Sequence, residues 1–193
     1  PYGASKLMVE RMIQDFSAGH GLKFSSLRYF NASGADPDNQ IGEDHEPETH
    51  LIPLVLDAAS GRRASITVFG SDYETQDGSC VRDYIHVSDL ASAHVCALEA
   101  LKRGVPSGAY NLGNGLGSSV KEVIETVQHI TGLSVSVLQG PRRAGDPAVL
   151  VTDASKARDE LGWVPKMADL AEIIGTAWAW HQRQWPPGRR PPT

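Results

Sequence analysis

Pro1-Tyr2-Gly3-Ala4-Ser5-Lys6-Leu7-Met8-Val9-Glu10 decides how this chain is read. Residues four apart lie on one face of a helix, so the Tyr2 phenol and the Lys6 ammonium can point into one cleft. A free phenol titrates near pH ~10, and a cation beside it favours the charged form. The pair is a candidate base. The same spacing occurs in any amphipathic helix, so its surroundings carry the weight. Gly3, Ala4 and Ser5 between the pair are small, and Leu7, Met8, Val9, Met12, Ile13 and Phe16 recur behind it at helical spacing. The reactive edge stands at the helix start and the packing face follows. Glycine capping should close the helix around Gly19-His20-Gly21.

Outward from that helix, 24–30 reads as a buried strand running into a turn-rich loop, 31–37. Loops at the carboxyl ends of strands are where ligands bind in open α/β sheets. The acidic stretch up to Glu48 reads as a solvated loop. His45 lies there between Asp44 and Glu46 without spaced His or Cys partners, so no metal site is expected. Residues 51–60 form a short helix with Pro53 in its first turn, and 66–69 a short strand. In 81–87 apolar and polar residues alternate as in a half-buried strand. Ser88 or Asp89 caps the next helix, with Leu90, Ala93, Val95, Ala97, Leu98 and Leu101 as its packing face. Further strands are expected at 109–113 and 135–138, and Val149-Leu150-Val151 follows a loop at 140–147. Ser119-x-x-Glu122 is a capping box that opens a helix to about Gly132. The last helices span 156–161 and 170–183. Trp178, Trp180 and Trp185 read as anchors against the core.

With 193 residues, 40% of them hydrophobic, the chain can bury one sizeable core with a small lobe beside it. Its net charge of −5 gives no general affinity for nucleic acid or an anionic membrane. Cys80 and Cys96 form neither a disulfide framework nor a metal site and suit a reducing cytoplasm as buried small hydrophobes. No apolar run approaches the ~20 residues of a membrane span, and no signal peptide opens the chain. A cytoplasmic protein is expected. Arg82 and Arg143 sit on or beside ligand-type loops, and two guanidiniums converging on a pyrophosphate are the usual way to hold one. Each has a plainer alternative, an ion pair with Asp83 or Asp146. Phe69, before Gly70, can stack on a base or fill core.

Tyr2-x-x-x-Lys6 followed by Leu-Met-Val-Glu resembles the active-site helix of the extended short-chain dehydrogenase/reductase enzymes, most closely the UDP-glucose 4-epimerase family. Further segments of that pattern recur in order: Leu-Arg-Tyr-Phe-Asn (27–31), Gly-Glu-Asp (42–44), Val-Arg-Asp-Tyr-Ile-His-Val-x-Asp-Leu (81–90), Tyr-Asn-Leu-Gly (110–113) and Arg-Arg-x-Gly-Asp (142–146). Together they are far more specific than the Tyr/Lys pair. The resemblance implies that Tyr2 and Lys6 are catalytic and, with Phe30, meet the nicotinamide end of NAD. It implies that Asn31, Leu51, Ile66, Phe69, Arg82, Tyr84, Val120, Arg143 and Asp146 line a UDP-hexose site. Phe69 would lie under the uracil, Arg82 and Arg143 at the phosphates, and Asp146 on a ribose hydroxyl. His50 stands where the pattern has Asn beside Leu. Leu150 takes the position where a bulky Tyr excludes N-acetylated sugars, which leaves the substrate range open.

The fold implied is α/β: the C-terminal part of an NAD(P)-binding Rossmann-like doubly wound sheet, with a smaller α/β substrate-binding lobe. Residues 1–184 would be this enzyme portion and 185–193 a disordered tail. In the family, a nucleotide-binding βαβ region with a glycine-rich turn and the third catalytic residue precede the Tyr/Lys helix. That reads the chain as a C-terminal fragment, inactive alone and homodimeric when complete. The reaction implied interconverts UDP-galactose and UDP-glucose through a 4-keto intermediate. Its rivals are other UDP-sugar 4-epimerases (N-acetylhexosamine, uronate or pentose), a nucleotide-sugar dehydratase and, from another class, an inactive UDP-sugar-binding module.

Overall fold

A computed structural model describes residues 1–186 of the chain. The opening segment forms α1, Tyr2–His20, closed by Gly21 in the left-handed conformation at φ 69°, with its N–H donating to the Ser17 carbonyl. Glycine takes that conformation without a Cβ penalty, so the helix ends where expected. No residue of α1 is buried, and Leu7, Met8, Val9, Met12 and Phe16 are all exposed. Glu10 ties the helix to β1, Ser25–Tyr29, accepting from Arg28 Nε at 2.6 Å and Ser26 Oγ at 2.9 Å. The hydrogen-bonded Arg28 guanidinium holds the Glu10 carboxyl down at about 2.

The strands pair mostly in parallel, and such pairs need helical crossovers between them. β2, Asn31–Ser33, continues past Phe30 from β1 but pairs elsewhere, with β5, Tyr84–His86. β1 itself pairs with β6, Gly108–Leu112, and α3, Val87–Lys102, makes the connection from β5. β3, Ile66–Phe69, pairs with β8, Val137–Gly140. β4, Val81–Arg82, lies antiparallel to β7, Ser118–Ser119, and parallel to β9, Val149–Leu150. The expected α/β class is the one observed. Two apolar cores result. One packs α2, Leu51–Ala59, and β3 against α4, Val120–Thr131, and α5, Leu170–Gln184, through Val55, Leu56, Val68, Val123, Val127, Ile173 and Ile174. The other sets Ala93, Ala97 and Ala100 of α3 against Ile85, Tyr110, Leu112 and Trp163.

The capping box at Ser119 and Glu122 is present in both directions. Several other expectations are corrected. The strand expected over 81–87 breaks at Asp83, whose side chain is turned to other work. The cap of α3 is His86, whose Nδ1 accepts the Ser88 N–H at 3.0 Å. Asp89 is instead drawn inward, where it accepts the N–H groups of Lys166 and Met167, both at 2.9 Å. Val95 and Leu98 face outward, and Ala93, Ala97 and Ala100 do the packing. The strand expected at 135–138 lies two residues later, and 157–161 is a π-helical turn.

Trp163, which the cluster of late tryptophans overshadowed, is the deepest of them. It is 2% exposed and donates from Nε1 to the Asp89 carbonyl at 3.0 Å. Cys80 is buried as expected, but Cys96 only half so. Trp185, placed in the tail by composition, lies under the Arg62 guanidinium at 3.6 Å from its ring centroid. The rest of the expected tail, 187–193, lies outside the described residues.

Candidate active site

Strand ends and helix starts build two neighbouring cavities. One, of about 410 Å³, lies between the ends of β2 and β3, the start of α2, β4 and the 140–148 loop. It brings together Asn31, His50, Leu51, Ile66, Phe69, Arg82, Tyr84, Val120, Arg143 and Asp146, with Cys80 among the remaining walls. The second, of about 710 Å³, is lined by Tyr2, Phe30, Asn31, His50, Val87 and Ser88 among others. Asn31, Ala32 and His50 belong to both, so they form the shared wall. Lys6 and Leu150 are not among the described residues lining either cavity. Lys6 Nζ stands 5.1 Å from the Tyr2 ring centroid, on the same exposed helix edge. Leu150 sits on β9 opposite Arg82 in register, one strand removed from the cavity.

The two arginines do converge on one cavity, each engaged differently. Arg82, its side chain 13% exposed, forms an ion pair with Asp146 and donates from Nη1 to the Val81 carbonyl at 2.6 Å. Arg143 is exposed and spreads over the face of Phe69 at 4.1 Å from the ring centroid. Such an arrangement holds a guanidinium beside an aromatic face without tying it to a carboxylate. The apolar floor is dry enough to matter for neighbouring groups. Burial pushes the Tyr84 phenol far above the usual tyrosine range and raises the Cys80 thiol. Both shifts favour the protonated forms near neutrality.

Asp83 is the site's concealed support. The residue pair Arg82-Asp83 suggests an ion pair in sequence, but Asp83 faces away, wholly buried. Its carboxylate accepts from the backbone N–H groups of Asn114 at 2.9 Å, Gly115 at 3.0 Å and Thr152 at 3.1 Å. Its own carbonyl accepts from the Asn31 side chain at 2.8 Å. Gly113 is required here, since a Cβ on it would sit 2.5 Å from Asp83 Oδ2. The sequence signal was a charged residue inside an apolar strand facing the Gly113-Asn114-Gly115 turn.

This arrangement coincides with a known pattern. Residues 1–113 match the NAD dependent epimerase/dehydratase family. The chain belongs to that family. It is 52% identical over 182 residues to a UDP-glucose 4-epimerase of Halalkalibacterium halodurans, a match covering 94% of this chain and 54% of the relative. The crystal structure of UDP-glucose 4-epimerase from Brucella ovis in complex with NAD superposes with a TM-score of 0.90 at 50% identity, covering 92% of this chain and 55% of that one. The enzyme from Bifidobacterium longum in complex with NAD+ and UDP gives 0.87 at 39% identity, covering 98% and 56%. This member of the epimerase/dehydratase family therefore has the Rossmann-like α/β fold of those structures and spans about half the length of the relatives it matches.

Proposed function

We propose that this chain supplies the base and the nucleotide-sugar site of a cytoplasmic UDP-glucose 4-epimerase, which interconverts UDP-galactose and UDP-glucose with NAD as cofactor. One observation carries this reading. A cavity with two arginines and an aromatic floor adjoins a second cavity with Tyr2 at its rim, and Asn31, Ala32 and His50 form their common wall. The first suits an anionic nucleotide: Phe69 under the base, Arg82 and Arg143 at the phosphates, Asp146 toward a ribose hydroxyl. Leu51, Ile66, Tyr84 and Val120 give its apolar sides. The second suits the nicotinamide end of NAD, since the Tyr2 and Phe30 rings and Val87 offer apolar contact and Ser88 a polar one. The residues present fit that part of the cofactor.

Bound NAD+ would supply the hydride acceptor and donor. The protein's part is proton handling and placement. Tyr2 takes the proton of the C4 hydroxyl as C4 is oxidised, then returns it when the 4-keto sugar is reduced on its other face. Lys6 keeps positive charge beside the phenol. Holding the substrate by UDP lets the hexose turn between the two steps without leaving. Leu150 stands where the family pattern has a bulky Tyr that excludes N-acetylated sugars and is smaller than it, so N-acetylated substrates belong in the test.

The test is an assay of the polypeptide at the full length of its relatives, with NAD+ and with UDP-galactose, UDP-N-acetylgalactosamine or UDP-xylose. UDP-glucose should accumulate from UDP-galactose. Turnover of UDP-xylose alone would move the reading to a pentose epimerase, and UDP binding without turnover would leave a binding module. The exposed apolar stripe of α1, Leu7, Met8, Met12 and Phe16, supports a homodimer joined through this helix. Sedimentation of the same polypeptide should give twice the monomer mass, and Met12→Glu should halve it. A monomeric parent would remove α1 as an interface.

A further inference from the structure

The acidic loop before α2 holds an unexpected donor set. Glu43, His45, Glu48 and His50 each offer one ligand atom, all within 4.8 Å of one another. In sequence His45 lacked a partner, but the fold lays its ring against His50, with centroids 5.4 Å apart and planes inclined by 14°. His50 Nδ1 contacts the Glu43 carboxylate and lies 3.5 Å from Glu48 Oε1, and His45 Nδ1 lies 3.8 Å from the same oxygen. Two imidazoles and two carboxylates thus share one small volume.

The set is held in place from behind. Gly42 lies on the Trp180 ring so closely that a Cβ would come within 2.4 Å of it, and Trp180 Nε1 donates to the Glu43 carbonyl at 2.9 Å. Glu48 accepts the N–H groups of Thr49 at 2.6 Å and His50 at 2.7 Å, which fixes its carboxylate at the start of α2. His50, the residue before α2, has extended backbone geometry at φ −85° and ψ 144°. Preorganised donors lower the cost of binding an ion.

We propose that Glu43, His45, Glu48 and His50 form a binding site for a divalent transition-metal ion, Zn2+ by the nature of its donors. Mixed nitrogen and oxygen ligands in groups of four suit Zn2+, whereas Mg2+ and Ca2+ take oxygen ligands. The ion would pin the 42–50 loop to α2 beside the wall shared by the two cavities. It has no part in the hydride chemistry proposed above, and its existence does not depend on that reading.

The test titrates ZnCl2, CoCl2 and MgCl2 into the full polypeptide carrying these residues, and into its His45→Ala/His50→Ala form. Calorimetry should show one Zn2+ per chain, and the double variant should lose more than about 100-fold in affinity. Co2+ should give the visible absorption of a four-coordinate site with imidazole ligands, absent from the variant. Both histidines are exposed, and matching circular dichroism would establish that the variant keeps its fold. The Co2+ spectrum of the parent is a second readout independent of any variant. No saturable binding, equal affinity in the double variant, or Mg2+ binding as tight as Zn2+ would each overturn the assignment.

Discussion

Replacing Tyr2 with phenylalanine should lower turnover of UDP-galactose, in the function proposed above, by roughly 10²- to 10⁴-fold, the usual contribution of a positioned acid/base, and leave UDP affinity unchanged. The substitution removes one oxygen and keeps the ring. The Tyr2 side chain is 77% exposed, so no core packing is lost with it. The nucleotide cavity is lined without Tyr2, so calorimetry with UDP should give the parent value. The loss should fall on kcat rather than KM, because the phenol acts on the reacting hydroxyl. The measurement belongs in the polypeptide at the full length of its relatives, with NAD+ present. Near-normal turnover there would remove Tyr2 as the base and leave the nucleotide site intact.

The second large effect is on stability. Asp83→Ala removes the acceptor for three backbone N–H groups that reach a wholly buried carboxylate. A buried donor left unpaired costs about 1–3 kcal/mol, so the loss should be on the order of 3 kcal/mol or more. Urea denaturation would show it as a lower midpoint. Asp83→Asn should fall between the two, since its amide keeps one acceptor but brings N–H against N–H at the other position. A change under about 1 kcal/mol for the alanine form would mean that water replaces the carboxylate. The nucleotide cavity should suffer in parallel, because Asn31 hangs from the Asp83 carbonyl and Arg82 precedes it in the chain.

Local rules read well wherever one element sufficed to fix the answer. The glycine stop at Gly21, the capping box at Ser119 and Glu122, and the short helix with Pro53 in its first turn needed no distant partner. The rest depended on pairing across the fold. The sequence left Asp83 and Asp146 both open as ion-pair partners of the arginines, because it displays adjacency and not facing. In the structure Arg82 reaches 64 positions onward to Asp146, and Asp83 serves the 114–115 turn and Thr152. His86 displaced Ser88 as the cap of α3 because its ring, buried against Thr176, also lies within reach of the Ser88 N–H. His45 and His50, five apart in a loop, carried no periodic signal. They meet because Trp180, from α5, props the segment. Of the candidate site residues, all but two line one or other of the two cavities. The exceptions were Leu150, placed one strand away, and Lys6, which stands on α1 off the cavity walls.

α1 is attached to the rest of the chain more lightly than the cavity walls are. This helix carries the candidate base, yet it buries no side chain and is tethered through Glu10 to Arg28 and Ser26. Its pitch and rotation over the sugar are therefore set by whatever covers its apolar stripe. The nucleotide cavity, by contrast, is walled by packed strands and needs no such cover. The two parts of the candidate site thus have different supports: the cavity with the two arginines rests on this chain's own packing, while the orientation of Tyr2 depends on the cover of α1.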